Sequence, residues 1–146
     1  MGRVTGLLLS VHVLGAILAV GPVAVAASMF PAAARADDAA TTLRVLHRIT
    51  RVYATIAIFV PVFGIATGAK LGVLGDTWLI VSMILTTAAA VVLIALVIPG
   101  QRALLAGGNK SAARRLGMQT GIFNLLWAVV VVLMIYRPDS TTGAGL

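Results

Sequence analysis

A charge-free apolar stretch from residue 4 to residue 30, containing one histidine, constrains the fold of this chain more than any other feature. A helix needs about 20 mostly apolar residues to cross a hydrocarbon core about 30 Å thick, so the stretch is long enough even when tilted. A helix also satisfies its own backbone hydrogen bonds inside lipid. The stretch therefore predicts a transmembrane helix with His12 inside it. A cleaved signal peptide is the alternative, but its apolar core usually has only about 7–15 residues.

The overall composition also indicates a lipid environment. Of 146 residues, 60% are apolar and 10% are charged, whereas an average soluble domain has about 25% charged residues. We assign the formal net charge of +7 to loops that face anionic lipid headgroups and not to nucleic-acid binding, because no basic patch lies on a polar domain. The lack of cysteine excludes disulfides and thiolate metal sites.

Four apolar segments predict an all-α, four-helix transmembrane bundle that forms a single domain over residues 1–137. Pro31 and Pro99 are expected to end the first and third segments, Ser111 to cap the fourth helix, and Pro61 to kink the second. Residues 138–146 are small and polar, and are expected to form a disordered tail. The expected spans are about 5–30, 52–69, 78–98 and 118–136.

The basic residues predict an orientation. The loop between the first and second spans contains four arginines, and the loop between the third and fourth contains four more basic residues. The opposite side contains only Arg3, Lys70 and Arg137. Since cytoplasmic loops carry an excess of Lys and Arg, both basic loops should be cytoplasmic and both termini outside.

His12 is the main candidate for chemistry. A rise of about 1.5 Å per residue places it in the outer half of the membrane. A neutral imidazole at that depth can hydrogen-bond Ser82 or Thr86 on the third span, and this packing role is the expected one. The alternative is that His12 binds haem iron or copper. His47 shares a helix stripe with Arg44, and is expected to face solvent or lipid headgroups.

Small and polar residues predict where the helices touch. His12, Gly15 and Ala19 share one face of the first helix and should turn inward, while Leu7, Leu14 and Leu18 turn toward lipid. A small-xxx-small pair in the second span should admit a neighbouring backbone, and an amide and an indole near the middle of the fourth should fix helix packing. In addition to His12, six residues are expected to make packing or polar contacts between helices: Gly64, Gly68, Ser82, Thr86, Asn124 and Trp127.

Missing groups restrict the function. No Asp, Glu, Lys or Arg lies inside an expected span, which disfavours an ion-coupled transporter. The sequence also lacks HExxH, GxSxG and phosphate-loop motifs, so a conventional hydrolase or NTPase is not expected.

Three motifs resemble a known family. The segments 9–22 (LSVHVLGAILAVGP), 46–53 (LHRITRVY) and 96–101 (LVIPGQ) are similar to the bacterial predicted integral membrane proteins that share domain of unknown function 2269. The similarity covers roughly residues 7–136 and implies four spans in a bacterial inner membrane. A histidine early in the first helix also resembles the copper-resistance-D-like and protoporphyrinogen-oxidase membrane families. That second resemblance implies a haem or copper ligand at His12.

Three functions remain open. The first is a small structural or accessory membrane protein that assembles with itself or with a larger complex. The second is a haem- or copper-binding protein that uses His12, and the third is a membrane transporter.

Overall fold

The computed structural model describes residues 2–140, which form four long helices and no strand. The helices are α1 (Arg3–Ala33), α2 (Ala40–Leu71), α3 (Thr77–Leu105) and α4 (Lys110–Tyr136). Each is long and apolar enough to cross a membrane, with a mean hydropathy of 1.9 to 2.7 over its most apolar window. The predicted all-α four-helix bundle is confirmed. The part of the predicted tail from residue 141 onward lies outside the described residues.

Two prolines that were expected to end helices do not end them. α1 continues past Pro31 to Ala33, and α3 continues past Pro99 to Leu105. In α3 a π-helical turn, Leu93–Val97, directly precedes the proline-containing segment. Proline lacks an N–H and its ring crowds the carbonyl four residues earlier. The wider π turn contains that carbonyl, so the helix continues instead of stopping.

An irregular helical turn also precedes a proline in α1 and in α2. The π-helical turn Ala16–Val20 precedes Pro22 by the same spacing. In α2 the α-helical ladder is interrupted at Ile58, three residues before Pro61. Each of these irregular turns lies where proline removes an intrahelical hydrogen bond.

The fourth helix begins with a different cap from the expected one. Asn109 has an extended backbone, and its Oδ1 accepts a hydrogen bond of 3.0 Å from the N–H of Ala112. Asparagine is among the best N-cap residues because its short side chain reaches the otherwise free N–H groups of the first turn. The prediction of Ser111 as the cap is therefore wrong, because Ser111 already lies within the first turn of the helix.

The helices pack as two antiparallel hairpins, α1 with α2 and α3 with α4. The hairpins meet mainly at the end of the bundle that carries the α1–α2 and α3–α4 loops, where α1 contacts α4 and α2 contacts α3. We call this the basic end, because most of the Lys and Arg residues lie in those two loops and on the helix ends that adjoin them. At the opposite end, the first half of α1 packs chiefly on the second half of α2.

The main core lies at the basic end. Its largest fully buried side chains include Phe30 of α1, Val97 of α3 and Leu116 of α4. A smaller cluster of Val73, Trp78 and Leu79 closes the opposite end. Most of the apolar side chains elsewhere on the helices point outward, as expected for spans whose surroundings are as apolar as their interior.

Trp78 holds this second cluster together. It is 6% exposed, and its indole N–H donates to Oδ2 of Asp76 over 3.0 Å. The guanidinium of Arg137, just after α4, lies 5.3 Å from the centre of its ring. Such a cation–π contact attracts the end of α4 to the start of α3. Trp78 is therefore buried in the bundle.

Candidate functional site

His12 contacts the second helix two residues after the main-chain irregularity at Ile58. Its Nδ1 is 2.8 Å from the carbonyl oxygen of Val60. The ring also lies directly against Gly64, since a Cβ built on that glycine would be 2.8 Å from the Cε1 atom of His12. Gly15, one turn along α1, faces the side chain of Val60 at 3.5 Å from its would-be Cβ. Small residues on both helices thus let an imidazole fit between them.

The hydrogen bond determines which ring nitrogen carries the proton. A carbonyl oxygen only accepts, so Nδ1 of His12 must donate and the neutral ring keeps its lone pair on Nε2. This arrangement resembles the second-shell bond that orients metal-ligating histidines. His12 therefore links the helices through a hydrogen bond at Nδ1, and its Nε2 has a lone pair that can bind a metal ion.

The expected partners of His12 are wrong. The hydroxyl of Ser82 donates to the carbonyl of Trp78 in its own helix, at 2.7 Å, and Ser82 is fully buried. Thr86 lies one turn further along α3, and the bond of the imidazole goes to α2 instead. The physical reason is that α1 packs on α2 along its first half, so a main-chain carbonyl lies within reach before any side chain of α3.

No second metal ligand is found beside His12 among residues 2–140. Met83 of α3 is 39% exposed, and Met134 packs beside the cluster of Trp78 at the end of the bundle. Thr67 donates its hydroxyl to Phe63 within its own helix. Within residues 2–140 no group of three or more His, Cys, Asp or Glu side chains could hold a metal ion. Around His12 the described residues therefore offer a single imidazole.

The two glycines of the small-xxx-small pattern admit different partners. Gly64 lies against His12 of α1, as described above. Gly68, one turn later and buried, lies against Leu79 of α3 and Leu74 of the connecting loop, which would be 3.0 and 3.2 Å from an added Cβ. The pattern thus accommodates a histidine of α1 at one turn of α2 and two leucines at the next turn.

Asn124 connects the fourth helix to the first. Its Nδ2 donates to Oγ of Ser28 over 2.9 Å, while its Oδ1 is buried without a partner among the described residues. Trp127, one turn away, packs partly buried against the main core. The expected role of both residues in helix packing agrees with these contacts. Thr120, also one turn from Asn124, has a buried hydroxyl oxygen that likewise has no partner in residues 2–140.

A chain of three polar side chains, not expected from the sequence, joins α2 to α3. His47 Nδ1 donates to Oε1 of Gln101 over 2.8 Å, and Nε2 of Gln101 donates to Oγ1 of Thr50 over 3.1 Å. The Thr50 hydroxyl then donates to the carbonyl of Leu46. Gln101 and Thr50 are both fully buried, so each polar atom in this bridge matters for stability.

The prediction that His47 faces solvent or lipid headgroups is therefore wrong, because its Nδ1 bonds Gln101. Gln101 lies beyond residue 98, the expected end of the third span, but the structure places it within α3. Continuation of α3 past Pro99 puts Gln101 on the same helix face as Val97 and Leu104, both of them buried. That spacing of three and four residues was readable in the sequence. Proline followed by glycine obscured it, because this pair usually ends a helix.

The helices and their contacts define a class: an all-α bundle of four helices, each long and apolar enough to span a membrane, linked by a few hydrogen bonds between helices. Comparison of the chain with models of protein families, with curated protein sequences and with solved structures finds no match. The resemblances described above from short motifs therefore remain hypotheses.

Proposed function

We propose that this chain is a small multi-pass protein of the bacterial inner membrane with a structural or accessory role, assembling with itself or with a larger complex. The observation that supports this most directly is the use of the polar groups. His12, Gln101 and Asn124 each bond to a different helix from their own. Such bonds fix helix packing and leave few groups for chemistry.

The outer surface supports an assembling role. Only 17 to 22% of the residues in the most apolar window of each helix are buried within this chain. The remaining faces are covered with aliphatic side chains, such as Leu7 of α1, Ile84 of α3 and Leu125 of α4, each more than 60% exposed. Lipid tails or the helices of another membrane protein would cover these faces.

Membrane fractionation tests the location. A tagged chain should stay in the membrane pellet after an alkaline carbonate wash, because four apolar spans cannot leave lipid without exposing their surface to water. Release into the supernatant would contradict the proposal. Assembly is tested by extracting the washed membranes with a mild polymer and measuring particle mass by light scattering. A particle containing only one 15.0 kDa chain would argue against self-assembly or a larger complex.

A haem- or copper-binding role is the second candidate, and the free Nε2 of His12 favours it. One imidazole suffices for one axial position of haem iron, and bound haem would supply electron transfer. This chain would contribute Nε2 as ligand, with the Val60 carbonyl orienting the ring through Nδ1. The second ligand would have to come from another copy or another molecule.

Two substitutions at His12 separate packing from ligation. Asparagine places an amide N–H near the position of Nδ1 and so retains a donor toward Val60, but it removes Nε2. Alanine removes both. If His12 is a ligand, a Soret band or stoichiometric copper in the purified protein should disappear in His12→Asn as well as His12→Ala. Featureless spectra and trace metal in the wild type, with haem precursor and copper supplied during expression, would contradict the second candidate.

A further inference from the structure

A groove of about 300 Å³ lies between α2 and α3 at the basic end of the bundle. Side chains on one face of each helix line the groove. Arg51, Ala54 and Ile58 line the α2 side, while Ile94, Ile98 and Arg102 line the α3 side. Because α2 and α3 are antiparallel, both arginines lie at the same end of the groove and Ile58 and Ile94 lie at the other.

The groove has a charged end and an apolar body. Ile58 lies seven positions after Arg51, which corresponds to about 10 Å along a helix. Both arginines are exposed, and no carboxylate occurs among the described residues that line the groove. Thr55, which also lines it, donates its hydroxyl to the carbonyl of Arg51 in its own helix. The body of the groove therefore presents aliphatic surface below two cationic side chains.

A buried bridge fixes the relative position of the two arginines. Thr50 and Gln101, bonded over 3.1 Å, directly precede Arg51 and Arg102 in the chain. Both bridge residues are fully buried, so the two helices cannot slide past each other here without breaking a buried hydrogen bond. Arg51 and Arg102 thus project from a fixed pair of helix turns.

We propose that this groove binds one anionic phospholipid, with its phosphate between Arg51 and Arg102 and an acyl chain along Ile58 and Ile94. Guanidinium groups bind phosphate oxygens in a planar, two-pronged geometry. Basic pockets between transmembrane helices suit anionic headgroups, and the apolar body suits the chain that a phospholipid carries below its phosphate. The inference rests on the proposed membrane location and adds a ligand class to it.

Native mass spectrometry of protein extracted from carbonate-washed membranes tests the charged end. The probes are phosphatidylglycerol and phosphatidylcholine at equal concentration. Wild-type protein should retain phosphatidylglycerol about tenfold more than phosphatidylcholine, as expected for two arginines near a phosphate. The double variant Arg51→Gln, Arg102→Gln should lose this preference. The matched pair Arg48→Gln, Arg115→Gln removes two exposed charges of the basic end that do not line the groove, and should keep it.

Two further measurements test the apolar body. Ile94 is 60% exposed, so Ile94→Trp should fill the groove without disturbing the core and should reduce retention of phosphatidylglycerol at unchanged charge. Glycerol phosphate, which has the anion but no chain, should compete poorly. Equal losses in both arginine pairs, full retention in Ile94→Trp, or displacement by glycerol phosphate as effective as by lipid would each overturn the lipid site. Because the protein used is already shown to pellet with membranes, such a result would leave the proposed location unaffected.

Discussion

The Nδ1 atom of His12 in α1 lies 2.8 Å from the carbonyl oxygen of Val60 in α2. The same carbonyl accepts the helical N–H of the residue four positions later, which is Gly64, so imidazole and helix share one acceptor. The ring lies against that glycine as well. His12 therefore makes a hydrogen bond to Val60 and a close contact with Gly64, one turn later in α2. Together they fix the α1–α2 hairpin at the end away from the main core.

Gly64→Ala should destabilise the protein. The added Cβ would be 2.8 Å from Cε1 of His12 and 3.1 Å from Nδ1, so the ring must move and weaken its bond to Val60. We expect a loss of about 1–3 kcal/mol in unfolding free energy, typical of overpacking. Unfolding by SDS titration in mixed micelles, followed by circular dichroism, measures it.

Gly21→Ala is the matched control, because a Cβ there meets nothing within 4 Å. Gly21 also lies in an α-helical segment, so alanine should be neutral or stabilising by up to about 1 kcal/mol. In the background of His12→Ala, the cost of Gly64→Ala should nearly disappear. An unchanged cost there would show that the glycine and the histidine are not coupled.

Gln101→Leu should be destabilising although leucine is the more apolar residue. It leaves the Nδ1 donor of His47 without its acceptor in a partly buried position, while Thr50 keeps its bond to Leu46. An unpaired buried polar group costs about 1–3 kcal/mol. A double-mutant cycle with His47→Leu should give a coupling energy of at least about 0.5 kcal/mol.

Ser10→Ala is the control for this cycle, since the Ser10 hydroxyl is exposed and bonds only the carbonyl of Gly6 in its own helix. Its effect should be within about 0.5 kcal/mol. Additive effects of Gln101→Leu and His47→Leu would contradict a bridge between α2 and α3.

Much of this fold follows from apolar length and helix period. The outward turn of Leu7, Leu14 and Leu18 was expected from the face that His12 shares with Gly15 and Ala19, and the structure confirms it with exposed fractions of 65, 56 and 64%. A side chain's face is readable because it repeats every 3.6 residues. The four spans are readable because lipid admits few alternatives to long apolar helices.

The partners of the polar residues were not readable in the same way. His12 bonds a main-chain carbonyl, and every residue carries one, so no residue type in the sequence marks Val60 as the acceptor. Gln101 was missed for a different reason. A π-helical turn carries α3 past Pro99, and the five apolar residues that form it do not differ in type from their α-helical neighbours. Both errors arise where the backbone, and not the side chain pattern, decides the contact.

Thr120→Val should stabilise the protein. The hydroxyl oxygen of Thr120 is buried and has no partner among the described residues, and the side chain is 2% exposed. Valine has nearly the same shape and lacks the unpaired polar group, so we expect a gain of about 1 kcal/mol. Thr87→Val is the comparison, because that hydroxyl is exposed and bonds Met83. A loss of stability in Thr120→Val would show that the hydroxyl has a partner, such as a bound water beside Asn124.

The orientation of the bundle is tested with single cysteines, for which the native chain has no background. Ala36 and Ala106 lie exposed in the two loops of the basic end, and Gly75 lies exposed in the α2–α3 loop at the opposite end. None of the three is expected to disturb packing, and a Cβ at Gly75 meets nothing within 4 Å. Because cytoplasmic loops carry the excess of Lys and Arg, Ala36→Cys and Ala106→Cys should resist a membrane-impermeant thiol reagent in intact cells. Gly75→Cys should react, and all three should react once the membrane is permeabilised.

Labelling of Ala36→Cys and Ala106→Cys with protection of Gly75→Cys would show the opposite orientation. It would also place the arginine pair of the groove in the opposite leaflet, so this experiment decides which membrane face must supply the proposed anionic lipid.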